Sequence, residues 1–293
     1  MTPSRTAEER REYVQAREKD LADMLKNAVR SIHSSDRWRA YLETMSHFWD
    51  YSFRNQLLLA CQMPDATAVA GFAKWRDLGR TVKKGERALW ILAPSLKTVG
   101  KDELTGEAIR GITGFRGVGV FDVAQTEGAD LDLNSFGIVP RAPGHDFVPA
   151  LTQLASKLGY MVSMAETGSK NGFLAAGWSI VIKVSNPTTA QAKTIVHELA
   201  HGLLGHLDHP DMSRELKELQ AETTAYVVSK ALGLELDDAS FNYLAHWTKF
   251  DPEYESKLEN SAAVALTTAK IILREFEKLE AAADAEEEAH GQH

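Results

Sequence analysis

His197-Glu198-Leu199-Ala200-His201 sets two imidazoles and a carboxylate at a spacing that a divalent metal can use. On a helix, residues four apart are rotated by only about 40°, so His197 and His201 face the same way with Glu198 beside them. Two imidazoles leave a catalytic centre short of a ligand, because such sites take three protein donors and keep one position for water. His206, His209, Glu218 and Glu222 are near enough in sequence to supply the third. A continuous helix turns His206 away, and the metzincin pattern of Gly three and His six residues after the second His is missing. His209 precedes Pro210, where the helix must break, so it could swing back only through a loop. Glu222 is the favoured ligand, since it shares a helix face with Ala225, Tyr226 and Ser229, groups that permit close approach; Glu218, one turn earlier on that face, is the alternative. A metal lowers the pKa of bound water to about 7 and polarises a carbonyl. Glu198 is then the general base. Tyr226 is either a hydrogen-bond donor to the developing oxyanion or a half-buried helix tyrosine.

These side chains need elements to hold them. Residues 188–204 have helical spacing, with Ile195, Leu199 and Leu203 on one apolar stripe and Pro187-Thr188-Thr189 as the start. Ser213 caps a second helix reaching Leu232, which returns antiparallel and brings one carboxylate to the metal. Upstream, residues 178–184 alternate and are rich in β-branched side chains, which predicts a strand that forms the edge for an extended peptide.

The N-terminal half has a different character. Helices are expected at about Thr6–Ile32, Asp36–Trp49 and Ser52–Gln62, then short strands at Thr67–Val69, Ala88–Ala93 and Phe115–Asp122, with the polar stretch Lys97–Gly111 as an excursion between strands, a hairpin tip. The fold class is α+β in two domains: 1–139, a linker at 140–149, a catalytic domain at 150–280 and an acidic, frayed tail at 281–293. No dinucleotide fingerprint or phosphate-cradling loop is present, which argues against nucleotide hydrolysis. The chain shows no apolar run of membrane-spanning length and no apolar signal region, so a cytoplasmic protein with no membrane partner is expected. Its single cysteine, Cys61, fits a reducing compartment.

Charge divides the chain as well. Residues 1–139 hold 20 basic against 19 acidic side chains, and the remainder 13 against 22. Within residues 70–90, Lys74, Arg76, Arg80, Lys83, Lys84 and Arg87 interleave with Phe72, Trp75 and Trp90. Cations that neutralise phosphates beside aromatic faces that stack bases are what single-stranded nucleic acid requires, although core tryptophans under a solvated basic surface give the same composition.

The string SFRNQLLLACQMPDATAVAGFAKWRDLGRTVKKGERALWILAP and the later GFRGVGVFDVAQTEG resemble the N-terminal domain of ArdC-type antirestriction proteins. The resemblance spans roughly 20–130 and 145–250, the second part being similar to zincin metallopeptidases of the ImmA/IrrE group. It implies a single-stranded-DNA-binding domain followed by a gluzincin-like peptidase domain. The metal ligands carry over to His197, His201 and Glu222, with Glu198 as base. Asn55, Trp75, Lys83 and Lys84 fall in matching motifs on the DNA side, and the basic cluster adds Lys74 and Arg80. The donor set favours Zn2+. The implied role is protection of incoming mobile-element DNA from host restriction, with a protein substrate the sequence does not name. A DNA-associated regulatory or repair metalloprotease and a binding protein with a purely structural zinc stay open beside it.

Overall fold

A computed structural model of the 293-residue chain describes residues 6–32, 35–101, 108–131, 145–234 and 253–290. The fold is α+β, divided into two compact units: Met1–Ser31 with Arg54–Leu131, and Ile32–Phe53 with Asp132–His293. Residues 32–53 thus pack with the C-terminal unit rather than with their sequence neighbours. Of the linker expected at 140–149, residues 140–144 lie outside the described residues.

The first unit contains α1 (Ala7–Arg30), α3 (Phe53–Gln62), the short α4 (Phe72–Asp77) and five strands: β1 (Val69–Ala70), β2 (Arg80–Val82), β3 (Leu89–Lys101), β4 (Ala108–Asp122) and β5 (Thr126–Gly128). The helix between α1 and α3, α2 (Ser35–Ser46), belongs to the other unit. Strands pair in the orders β1-β4-β3 and β2-β5. The hairpin tip expected at Lys97–Gly111 is shorter, because β3 runs to Lys101 and β4 starts at Ala108, with Leu96 opposite Ile112. Thr98, Val99, Ile109 and Ile112 are β-branched and favour that extension. Residues 102–107, within that expected tip, lie outside the described residues.

The outer edge of β3 is closed by side chains of α3. Asn55 Nδ2 donates to the Leu92 carbonyl at 2.9 Å while its Oδ1 accepts from the Leu92 amide at 2.8 Å. Gln62, two turns on, repeats this double bond with Trp90 at 2.9 and 2.8 Å. Each amide stands in for a residue of a neighbouring strand and satisfies backbone groups that the sheet edge leaves open.

The second unit adds α5 (Val148–Lys157), β6 (Met161–Ala165), β7 (Gly172–Ala175), β8 (Ser179–Lys183), α6 (Thr188–Leu203), α7 (Arg214–Ala231) and α8 (Tyr254–His290). Its sheet has the order β6-β8-β7, with β6 parallel and β7 antiparallel to β8. The strand expected at the edge is therefore central, and β7 is the edge beside α6. Along β8 the alternate residues Ile180 and Ile182 are fully covered, the face turned to the core. Helix α6 buries Ile195, Val196, Leu199 and Ala200 in this unit's core. Two glycines let neighbours approach α6 closely. A Cβ at Gly172 would lie 2.6 Å from Thr194, and one at Gly202 would lie 2.3 Å from the Tyr160 ring. Ala265 and Ala269 are buried on α8, and Thr224 Oγ1 of α7 reaches the Ala265 carbonyl at 3.0 Å. The expected frayed tail is instead helical to His290, consistent with the helix propensity of its Ala- and Glu-rich residues.

Candidate metal centre

Helix α6 presents His197 and His201 on one face, and α7 crosses that face antiparallel. The register follows from the partners: Lys193 meets Glu222, and His197, one turn later, meets Glu218, one turn earlier. His197 Nε2 lies 3.1 Å from His201 Nε2 and 3.5 Å from Glu218 Oε2, and His201 Nε2 lies 3.8 Å from the same oxygen. A tetrahedral ion with bonds of about 2.0–2.2 Å separates its donors by roughly 3.3–3.6 Å, so these three atoms surround a position of suitable size. Among the described residues, His197, His201 and Glu218 are the group whose donors converge in this way.

Glu222 lies behind the metal position. Its Oε2 is 3.2 Å from His197 Nδ1 and its Oε1 accepts from Lys193 Nζ at 2.7 Å. The structure groups Glu218, the alternative of the two, with the imidazoles, while Glu222 faces the far nitrogen of the His197 ring. Both carboxylates share one face of α7, so sequence spacing does not choose between them; the packing register does. Glu198 is 9% exposed and lines the same cleft of about 630 Å³ without belonging to the converging trio.

Helix α6 ends at a Schellman motif. Gly205 takes a left-handed φ of 65°, its amide bonds Gly202 O at 2.9 Å, and the His206 amide bonds His201 O at 3.1 Å. The motif brings the residue after the glycine back over the last turn. His206, which a continuous helix would turn away, therefore places its Nδ1 2.8 Å from His201 Nδ1.

The electrostatics follow. Burial opposes charge on His197, but bonds to Glu218 and Glu222 and the charges of Glu222 and Glu198 outweigh it and lift its pKa to about 9. The two imidazoles hold the Glu218 carboxyl well below the usual range. Burial raises Glu222, yet His197 and Lys193 bring it down to about 2. Burial lowers His206 to about 4, so this ring is neutral. Without metal, the raised pKa of His197 contributes stability that is complete below about 6.5 and is lost as pH climbs through about 9. A metal must displace that proton. Adding Zn2+ to metal-free protein in weak buffer at pH 7.5 should release about one proton per ion bound, read by a pH indicator; no release would contradict a charged His197.

Tyr226 is not in the cleft. It is 2% exposed and its hydroxyl donates to Glu43 Oε2 of α2 at 2.7 Å, an acceptor that, with burial, pushes the phenol pKa up. Tyr226 lies one turn beyond Glu222 on α7, which is itself one turn past Glu218. The cleft instead gathers cations that sequence reasoning passed over, Lys170, Lys193, Arg214 and Lys217, and the edge residues Gly172, Phe173 and Leu174 of β7.

In the first unit the expected DNA-contacting residues separate into two groups. Trp75 is fully buried, its Nε1 donating to Phe121 O at 2.8 Å, and Asn55 is 8% exposed in its clamp on β3. Arg80 is committed to β5 and the residue beyond it: Nε reaches Thr126 Oγ1 at 2.8 Å, and the remaining guanidinium nitrogens bond the carbonyls of Thr126 and Ala129. Lys74, Lys83 and Lys84 are exposed, with Lys83 Nζ on the Ala124 carbonyl at 2.9 Å. The exposed aromatic of α4 is Phe72, at 57%, in the same helix as Lys74 and Arg76.

Residues 14–121 match the N-terminal domain of anti-restriction factor ArdC, and residues 154–246 match the IrrE N-terminal-like domain. Over 304 aligned residues the chain is 25% identical to an uncharacterized protein of Bacillus anthracis; the alignment takes in 89% of this chain and 52% of that protein. The chain thus spans about half the length of the curated relative it matches. The metal-free crystal structure of the antirestriction protein ArdC from plasmid R388 aligns with a TM-score of 0.53 at 18% identity, covering 78% of this chain and 86% of that one, a likeness of fold. The Mn(II)-bound structure of the same protein gives 0.48 at 19% identity, with 77% and 85% covered.

Proposed function

From the premise that this chain is an ArdC-type protein, an ArdC N-terminal domain joined to an IrrE-like domain, we propose that it protects incoming mobile-element DNA from host restriction. Its first unit binds single-stranded DNA and its second hydrolyses a peptide bond at a zinc centre. The observation that carries the hydrolytic half is the convergence of His197, His201 and Glu218, with Glu198 buried beside them and outside the trio. When bound, the ion supplies Lewis acidity toward water and a peptide carbonyl. Glu198 takes the proton from the attacking water and passes it to the leaving amine. Glu222 and His206 hold the two imidazoles from behind. An extended peptide segment can pair along the open edge of β7, whose residues 172–174 line the cleft.

DNA binding is assigned to the exposed cations Lys74, Arg76, Lys83 and Lys84 with Phe72 as the stacking face, while Trp75, Asn55 and Arg80 build the scaffold under them. Such a partner puts the protein in the cytoplasm; among the described residues no helix is long and apolar enough to cross a membrane. Elemental analysis of the purified protein, alongside binding to single- and double-stranded oligonucleotides, tests both halves. One zinc per chain and preference for the single strand are expected. The Lys74→Ala/Lys84→Ala pair should weaken binding and reduce the slope of log K against log salt by about 0.7 for each phosphate no longer neutralised. An unchanged slope would move the DNA surface elsewhere.

A further inference from the structure

His201 has two ring nitrogens with opposite duties. Nε2 faces His197 and Glu218, so on the reading that those residues hold a metal, Nδ1 must carry the proton. Its partner 2.8 Å away is His206 Nδ1, which must then present a lone pair. That puts the proton of His206 on Nε2, which lies 2.9 Å from Gln220 Oε1. The carboxamide of Gln220 then donates through Nε2 to Ser261 Oγ at 3.4 Å. Every bond in this series has one consistent direction. All three supporting side chains are secluded, with His206 3%, Gln220 7% and Ser261 3% exposed. The backbone of His206 is fixed as well, by the Schellman turn and by Lys217 Nζ on its carbonyl at 2.7 Å.

We propose that His206, Gln220 and Ser261 form a positioning relay that fixes the tautomer and ring plane of His201, and that α8 thereby supports the metal centre although it lies beyond the 154–246 family match. The two ligating rings are thus held differently. His197 leans on a charged carboxylate, Glu222, and His201 on a neutral imidazole whose polarity is set two residues away. A neutral acceptor directs the proton without drawing it off the ring, and it is held through Gln220 of α7, which bonds His206 in the turn after α6 and Ser261 of α8.

The test uses the intact chain, with Zn2+ affinity read by chelator competition and Co2+ coordination by its absorption spectrum. His206→Leu should weaken Zn2+ about 10–100-fold, the usual cost of losing an outer partner of a ligating histidine. His206→Asn places an amide oxygen near the former Nδ1 and should recover most of that loss. Ser261→Ala should give a smaller loss, and no change there would remove α8 from the relay. Nitrogen-15 imidazole spectra of the zinc-loaded wild-type protein need no variant: His206 should appear as the neutral Nε2–H tautomer. An imidazolium or an Nδ1–H form overturns the relay, as does wild-type affinity in His206→Leu. If the wild-type protein itself binds no ion, the underlying metal assignment fails instead, which separates the two outcomes.

Discussion

Glu198→Gln should leave the metal bound and reduce hydrolysis of a denatured protein substrate by about 10²–10⁴-fold, the usual contribution of a general base. The carboxamide keeps the volume of the side chain and loses its ability to accept a proton. Glu198 is not one of the three converging donors, so metal content should equal that of the wild-type protein. Elemental analysis and casein hydrolysis on the same preparation check both statements, and undiminished hydrolysis would sink the assignment of the base. The variant also separates the biological readings. If it still protects transferred DNA in cells, binding by the first unit suffices and the peptidase centre serves another step. If protection is lost while metal and DNA binding persist, cleavage is part of the defence, and a regulatory protease reading gains.

The second large effect distinguishes two glutamates one turn apart. Glu218→Gln removes the anionic donor that lies within 3.5 and 3.8 Å of both Nε2 atoms, so the protein should no longer purify with stoichiometric metal. Glu222→Gln removes the negative charge behind His197 and leaves a single amide oxygen for His197 Nδ1 and Lys193 Nζ to share, an outer-sphere change worth about 10–100-fold in affinity. Chelator competition on the two variants gives the order directly. If Glu222→Gln proved the more damaging, the ligand would be Glu222 and α7 would have to slide by one turn, about 6 Å.

Much of the second unit was legible in the sequence because the signals are local. The apolar period through Ile195 and Leu199 and the Ser213 cap, whose hydroxyl accepts from Leu216 N, each act within a few residues. The helix expected at Ser52–Gln62, observed as α3, is equally local. The extent of the β3–β4 hairpin was not, because cross-strand pairing rather than polarity decided where each strand stopped. Nor were the roles of Asn55 and Trp75. An amide that clamps a sheet edge and an indole that caps a core carbonyl look, in one dimension, like residues set to meet a base.

By itself the sequence determined that two imidazoles share a helix face with a carboxylate beside them, since fourfold spacing and helical pitch need no partner to produce that arrangement. It also determined that a second helix follows closely enough to complete the site. The tertiary structure alone decided which glutamate of α7 converges with the two imidazoles, that Tyr226 turns to Glu43, and that His206 folds back onto His201. Residues four apart on α7 occupy one face and are equivalent until another helix is laid against them. The register of that contact, Lys193 against Glu222 and His197 against Glu218, is a property of packing between two helices and not of either helix alone.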